Sequence, residues 1–290
     1  MVPASATVFV LSRTGLLAVL ARILEPVMAL LDLPGAAAIA VVSSVLVNLY
    51  AAIAVIPALE LDHRQLVILA LLCLVAHNYL VELPVTRRTG TPISRMLAVR
   101  TVGGLVLAWI VSRILPEVGI WSAPLVLPGG ATGAAAALSN TEAFIQWLEG
   151  VVRLILRAAS LVTLLIFASR ALQYCGVIDW ISRRVRPVIQ VFGLPQSSGP
   201  AWIVANTLGL AYGAAVLREE SESGRLNAAD GDLLNHHLGV SHSLFEDTFL
   251  FVALGAPTLW LIAPRLTLAF LVVWERRLER RLGIPLVKRP

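Results

Sequence analysis

The chain carries one stretch of sequence twice, and this limits the folds open to it more than any other feature. Arg22 to Pro34 reappears as Arg183 to Pro195, with five of thirteen positions identical and hydrophobic residues in both copies at four of the other eight. Downstream, Tyr50-Ala-Ala aligns with Tyr212-Gly-Ala, Leu80-Val-Glu82 with Leu244-Phe-Glu246, and Leu97-Ala-Val-Arg100 with Ile262-Ala-Pro-Arg265. The offset drifts only from 161 to 165 residues. A duplicated hydrophobic unit of this length is a common build of membrane transporters, in which the substrate sits between the copies.

Composition matters because it names the solvent. Hydrophobic residues make up 58% of the chain and charged residues 14%, against roughly 25% charged in a soluble domain. Several runs of about 20 residues suffice to cross about 30 Å of hydrocarbon as helices. Arg13 and Arg22 interrupt the first apolar run and no basic segment precedes it, so the start reads as a retained membrane segment rather than a cleaved signal. Cys73 and Cys175 lie in or beside apolar runs and read as packing residues. Net charge is +5, and its basic residues are accounted for by loops and tail, so nucleic-acid binding is not expected.

The expected fold is all-α and polytopic. Repeat one comprises a helix near 7–31, a small-residue segment 35–58, a third element 65–84 and a fourth 96–115. Repeat two has the same order at 150–173, 197–217, 231–252 and 257–275. The expected domains are 1–120, an uncharged linker 121–140, 141–275 and a basic tail 276–290, with Trp274 to Leu282 as an amphipathic extension at the membrane surface. Trp109, Trp147, Trp180, Trp260 and Trp274 fall near helix ends and suit interfacial anchoring. Arg153 and Arg157 stand four apart and suit snorkelling, with contact to anionic headgroups or an anionic substrate as the other reading.

Loop charge decides how the small-residue segments run. The basic connections are 85–95 (Arg87, Arg88, Arg95), 176–197 (Arg183, Arg184, Arg186) and the tail (Arg276, Arg277, Arg280, Arg281, Lys288, Arg289). The positive-inside rule places all three in the cytoplasm. This holds when 35–58 and 197–217 are re-entrant hairpins, leaving three full crossings per repeat. Three is odd, so the second copy is inverted. The expected location is therefore a bacterial inner membrane with a cytoplasmic C-terminus. Irregular backbone at membrane depth must be buried in protein or line a wet cavity.

The residues that set this pattern resemble the Gate, or nucleoside-recognition, domain superfamily. Leu33-Pro-Gly through Asn48-Leu-Tyr-Ala-Ala is similar to the Gate segment of the bacterial ferrous-iron transporter, with Val47 where that segment has cysteine and Tyr50 where it has proline. Concentrative nucleoside transporters and spore-maturation membrane proteins share the superfamily. The resemblance implies helix, hairpin, broken helix and helix, then the same inverted, with solute held at hairpin tips and helix breaks. The chain has no Gly-x4-Gly-Lys-Ser/Thr loop, and Gln196-Ser-Ser stands where nucleoside transporters carry Gln-Thr-Glu.

The candidate substrate-binding residues are Ser44, Asn48, Asn78, Glu82, Gln196, Ser197, Ser198, Asn206, Ser241, His242 and Glu246. Asn78 and Glu82 are four apart, as are His242 and Glu246, so each pair is expected on one helical face. Asn235, His236, His237, Ser243, Asp247 and Thr248 add polar groups to the same element of repeat two. Intramembrane ionisable groups mark solute or proton paths by default. Against this, Arg100 and Arg265 follow the two glutamates by 18 and 19 residues and can form ion pairs with them; both readings stand. His242 with Glu246 also has metal-ligand spacing, and His242 could carry a coupled proton. No catalytic constellation or cofactor motif is present, so no enzyme activity or cofactor is expected. The expected partners are the lipid bilayer and a small polar solute or ion, with homo-oligomerisation open. The function expected is a permease; a divalent-metal permease and a non-transporting scaffold are the alternatives.

Overall fold

The computed structural model describes residues 16–125 and 187–284, with helical positions at intervals between 145 and 185. Arg13, the linker from 126 to 140, Trp147, Arg153, Arg157, Cys175, Trp180, Arg183, Arg186, Lys288 and Arg289 lie outside the described residues. Among the described residues the regular structure is helical: α1 (Leu16–Leu30), α2 (Ala37–Leu46), α3 (Leu49–Val55), α4 (His63–Val75), α5 (Tyr79–Arg88), α6 (Ile93–Ile114), α7 (Gly199–Leu208), α8 (Leu210–Glu222), α9 (Ala228–Ser241), α10 (Glu246–Val252) and α11 (Thr258–Arg281). α6 and α11 are long and apolar enough to cross a membrane, and α4 with α5 forms a third candidate span broken at residues 76–78.

The chain divides into two compact units. The first holds residues 1–78, 105–161 and 249–261; the second holds 79–104, 162–248 and 262–290.

In the first unit, α1 ends in a left-handed residue, Asp32 (φ 56°), and the Leu33 N–H donates to the Met28 carbonyl at 3.0 Å. This six-to-one bond satisfies carbonyls that the helix end would otherwise orphan. The α2–α3 hairpin turns at Asn48, whose extended backbone starts α3 and whose side chain accepts from the Ala51 N–H. Asp62 and Gln65 form a reciprocal capping box that starts α4. Residues 66–75 contain no charged side chain and are buried on every face, as expected of a helix apolar all round. Arg64, 6% exposed, pairs with Asp32 at 2.8 Å and donates to the Ser112 and Leu115 carbonyls at the end of α6.

The second unit repeats these devices residue for residue. Gly193 (φ 73°) takes the place of Asp32, with Leu194 N–H donating to the Ile189 carbonyl. Gly209 (φ 96°) turns the α7–α8 hairpin where Asn48 turned the first. Asn227 caps α9 by accepting from the Asp230 N–H, as Asp62 caps α4. The offset is 161 at Asp32/Gly193 and Asn48/Gly209, then 165 at Asp62/Asn227 and Gly90/Gly255. All four added residues therefore fall in the outer arm of the second hairpin, where α8 runs to Glu222.

The α7 and α8 backbones cross closely: a methyl group at Gly213 would overlap that of Ala205 and stand 2.8 Å from its Cα. Small residues allow such contact, which supplies packing and hydrogen bonding where lipid gives no hydrophobic drive between helices. Ile189, Leu194, Ala201, Leu217, Leu234 and Val273 belong to the apolar cluster beneath. Along α6, Val102, Val106, Trp109 and Ile110 are exposed. Their spacing forms one apolar face, the surface a lipid-facing helix presents.

One expectation read from the residues alone changes, in the direction that the family resemblance implies. Elements 65–84 and 231–252 are not continuous helices; each is broken, at 76–78 and 242–245. Asn78 and Glu82 therefore do not share one helical face, nor do His242 and Glu246, because the four-residue periodicity is interrupted between them. Trp274 to Arg281 continues α11, past the expected end of that element at 275, and is held by Arg276 and Arg280, which both bind the buried Asp232 at 2.8 Å.

Candidate functional site

Each helix break uses the same three positions. At the first, Asn78 is left-handed (φ 52°) and its N–H donates to the Ser44 carbonyl in the hairpin at 2.8 Å. Asn tolerates this conformation better than most residues. Ser44, fully buried, returns its hydroxyl toward the Cys73 and Ala76 carbonyls. His77 Nδ1 lies 3.1 Å from the Cys73 carbonyl. A carbonyl only accepts, so Nδ1 carries the proton. Ser44 and Asn78, both predicted site residues, thus dock the first hairpin on its broken helix. Asn48 is the hairpin's own cap.

The second unit reproduces the arrangement. Ser243 (φ 49°) donates its N–H to the Ala205 carbonyl at 3.0 Å, and His242 Nδ1 lies 2.7 Å from the Leu238 carbonyl. His242 is therefore the counterpart of His77. At this offset of 165 the counterpart of Glu82 is Asp247, not Glu246, which corrects the register drawn from sequence. The acidic pair Glu246-Asp247 concealed the one-residue difference.

A buried ionic chain runs through this unit. Arg100 is fully buried and donates to Glu82 Oε2 at 2.6 Å, with its guanidinium 5.0 Å from the Tyr79 ring centroid. Glu82 Oε1 lies 3.2 Å from His242 Nε2. Since Nδ1–H is committed to a carbonyl, this second contact is a hydrogen bond only with a proton between imidazole and carboxylate. Arg265, fully buried, donates to the Val240 and His242 carbonyls, which end α9, and to Thr248 Oγ1. A guanidinium needs this many acceptors when removed from water. The predicted Arg100–Glu82 ion pair is present, while the hydrogen-bond acceptors of Arg265 are helix-end carbonyls and a hydroxyl.

The remaining predicted residues divide by environment. Ser241 serves its neighbour: its hydroxyl donates to the His237 carbonyl and pairs with His237 Nδ1 at 2.8 Å. The other His237 nitrogen accepts from Trp202 Nε1 of α7. Gln196 is exposed and Ser197 half-buried in the short turn before α7, and Glu246 starts α10, half-buried. Ser198 and Asn206 are both at most 1% exposed. Asn206 Nδ2 donates to the Trp202 carbonyl, but Asn206 Oδ1 and Ser198 Oγ find no hydrogen-bond partner among the described residues. Buried polar atoms are nearly always paired, so these two are the groups of the unit most in want of a ligand.

Sequence reasoning missed a second polar cluster. Asp232, fully buried, accepts from Thr91, Arg276 and Arg280, and His236 sits between the Asp232 carbonyl and Arg95 Nε. Arg95 also bonds Glu275. Asp232 and His236 are four apart on α9, a signal present in sequence but overshadowed by the histidines after it.

Comparison with known proteins matches this geometry to a lineage. The family model described as Gate, nucleoside recognition, matches residues 1–102. The uncharacterized membrane protein YvoD of Bacillus subtilis (strain 168) is 32% identical over 279 residues, covering 93% of this chain and 86% of YvoD. The chain belongs to the Gate family of membrane proteins. No solved structure matches it. In this Gate protein Asn78 and Ser243, both left-handed, mark the two helix breaks, and Gly209, at positive φ, marks the turn of the second hairpin.

Proposed function

We propose that this Gate protein is a permease for a small polar, nucleoside-like solute, working by alternating opening of its two hairpins. The reading treats α2–α3 and α7–α8 as re-entrant hairpins belonging to two inverted repeats, in a bacterial inner membrane with the C-terminus cytoplasmic. It assigns transport rather than catalysis. The observation that carries it is the unpartnered Asn206 Oδ1, buried one turn from the tip of the second hairpin, in the unit that also buries the Arg100–Glu82–His242 chain. An orphaned buried acceptor costs about 1–3 kcal/mol, and a solute bearing N–H or O–H donors would remove that cost. Small-residue backbone contact at Gly213 and Ala205 lets the hairpin move as one body.

The test is a thermal-shift titration of detergent-purified protein with uridine, adenosine and their bases, followed by uptake into proteoliposomes. One of these solutes is expected to stabilise the wild type and to lose at least tenfold in apparent affinity in Asn206→Ala. The ligand-free melting temperature of that variant should stay close to wild type, because the orphaned acceptor is removed with the amide. No stabilisation by any of them, together with a large loss of stability in Asn206→Ala, would show the amide to be part of a static scaffold.

A further inference from the structure

The second unit contains a cavity of about 620 Å³ whose lining includes none of the groups of the ionic chain. It lies between the end of α5, the outer half of α8 and the start of α9. Small residues leave it open: Ala214, Ala215, Ala228 and Gly231 line it, with Val85, Leu217 and Leu226 as larger apolar surface. Two guanidinium groups, Arg88 and Arg218, stand at this lining with one carboxylate, Glu222. Arg218 is held by Glu222 at 2.7 Å in an exposed i,i+4 pair. Arg88 is exposed and has no hydrogen-bond or ion-pair partner among the described residues. Of the neutral polar residues in the lining, Thr89, Ser221 and Asn227, the first and last already bond Asn235 and the Asp230 N–H.

An apolar floor with a net positive rim suits an amphiphile with an anionic head. Guanidinium groups bind phosphate through paired N–H donors. Basic pockets between membrane helices take phospholipid headgroups by this chemistry. We propose that this cavity is a phosphate-binding site, with Arg88 as its primary contact and Arg218 as its second. The phosphate comes either from an anionic phospholipid or from solution. Glu222 opposes the anion and sets its affinity.

The full-length protein would be purified in a neutral detergent and its melting temperature followed against phosphatidylglycerol, inorganic phosphate and, as control, phosphatidylcholine. The variants are Arg88→Ala/Arg218→Ala and Glu222→Gln; all three side chains are exposed, so the fold should survive. Each basic residue near an anionic surface contributes about fivefold in affinity. The double variant should therefore need roughly twenty-five-fold more phosphatidylglycerol for the same stabilisation, and Glu222→Gln should need less than wild type. Protection by phosphatidylglycerol alone assigns the site to lipid; equal protection by inorganic phosphate with the same dependence on the variants assigns it to a free anion. The proposal fails if neither protects the wild type, if the double variant responds like wild type, or if phosphatidylcholine protects as well as phosphatidylglycerol.

Discussion

Removing the Glu82 charge should leave Arg100 as an isolated buried cation, and the size of that effect follows from the geometry. The pair is separated by 2.6 Å, with side-chain exposures of 0% for Arg100 and 10% for Glu82. Deleting one partner of a buried pair typically costs about 3–5 kcal/mol, whereas replacing both with apolar residues of similar volume is often near neutral. Glu82→Met should therefore lower stability by about 3–5 kcal/mol, with some further loss because His242 forfeits its acceptor. Arg100→Met should cost a similar amount and also remove the stacking on Tyr79. For a chain of this size that corresponds to roughly 6–20 °C in melting temperature. The double variant Glu82→Met/Arg100→Met should lie well above either single variant. The assay is thermal denaturation of detergent-purified protein at one fixed scan rate, because membrane proteins often unfold irreversibly and only the ranking is then secure. Strictly additive losses would refute the reasoning, since they would mean the two charges are solvated separately and do not sustain each other.

Three further outcomes are expected. Gly213→Ala should destabilise by about 1–3 kcal/mol or more, because its methyl meets the Ala205 backbone, while Gly239→Ala should cost less, since it meets the flexible end of Met96; equal melting temperatures would contradict the close hairpin crossing. Gly209→Ala should cost on the order of 1–3 kcal/mol, because φ 96° with ψ 166° suits glycine alone; thermal denaturation reads it, and an unchanged melting temperature would contradict the strain. Asp232→Asn should lower the melting temperature by weakening two arginine contacts and should speed tryptic cleavage at Arg280 or Arg281; unchanged cleavage would mean the end of α11 is anchored elsewhere.

Much of the fold was legible because the duplication is visible at turns. Leu-Pro closes each copy of the repeated stretch, and such residues act through local chemistry that sequence displays directly; the caps at Asp62 and Asn227 emerge only from the structure. The positions of the helix breaks that the resemblance implies were not legible, since Asn78 and Ser243 sit in runs whose neighbours suit a continuous helix, and a single left-handed residue leaves no mark on apolar periodicity. The pairing of His77 with His242 was hidden because the repeats were aligned by identity at Glu82 and Glu246, one residue out of register. Arg100 and Glu82 were legible as a pair by charge and spacing; the carbonyl partners of Arg265 were not, because backbone acceptors have no sequence signature.

The sequence by itself determined the helical class, the membrane solvent, the twofold repetition and the roster of polar residues that lipid could not accept. These follow from hydropathy and from turn chemistry, which act over a few neighbouring residues. Tertiary structure decided which of those polar residues satisfy one another: Ser241 bound to His237, Ser44 bound to the broken helix, Glu82 between Arg100 and His242, and Asn206 Oδ1 left unpaired. Hydrogen-bond satisfaction is settled between groups up to 180 residues apart in the chain, and only the packed backbone brings donor and acceptor within 3 Å or so of each other.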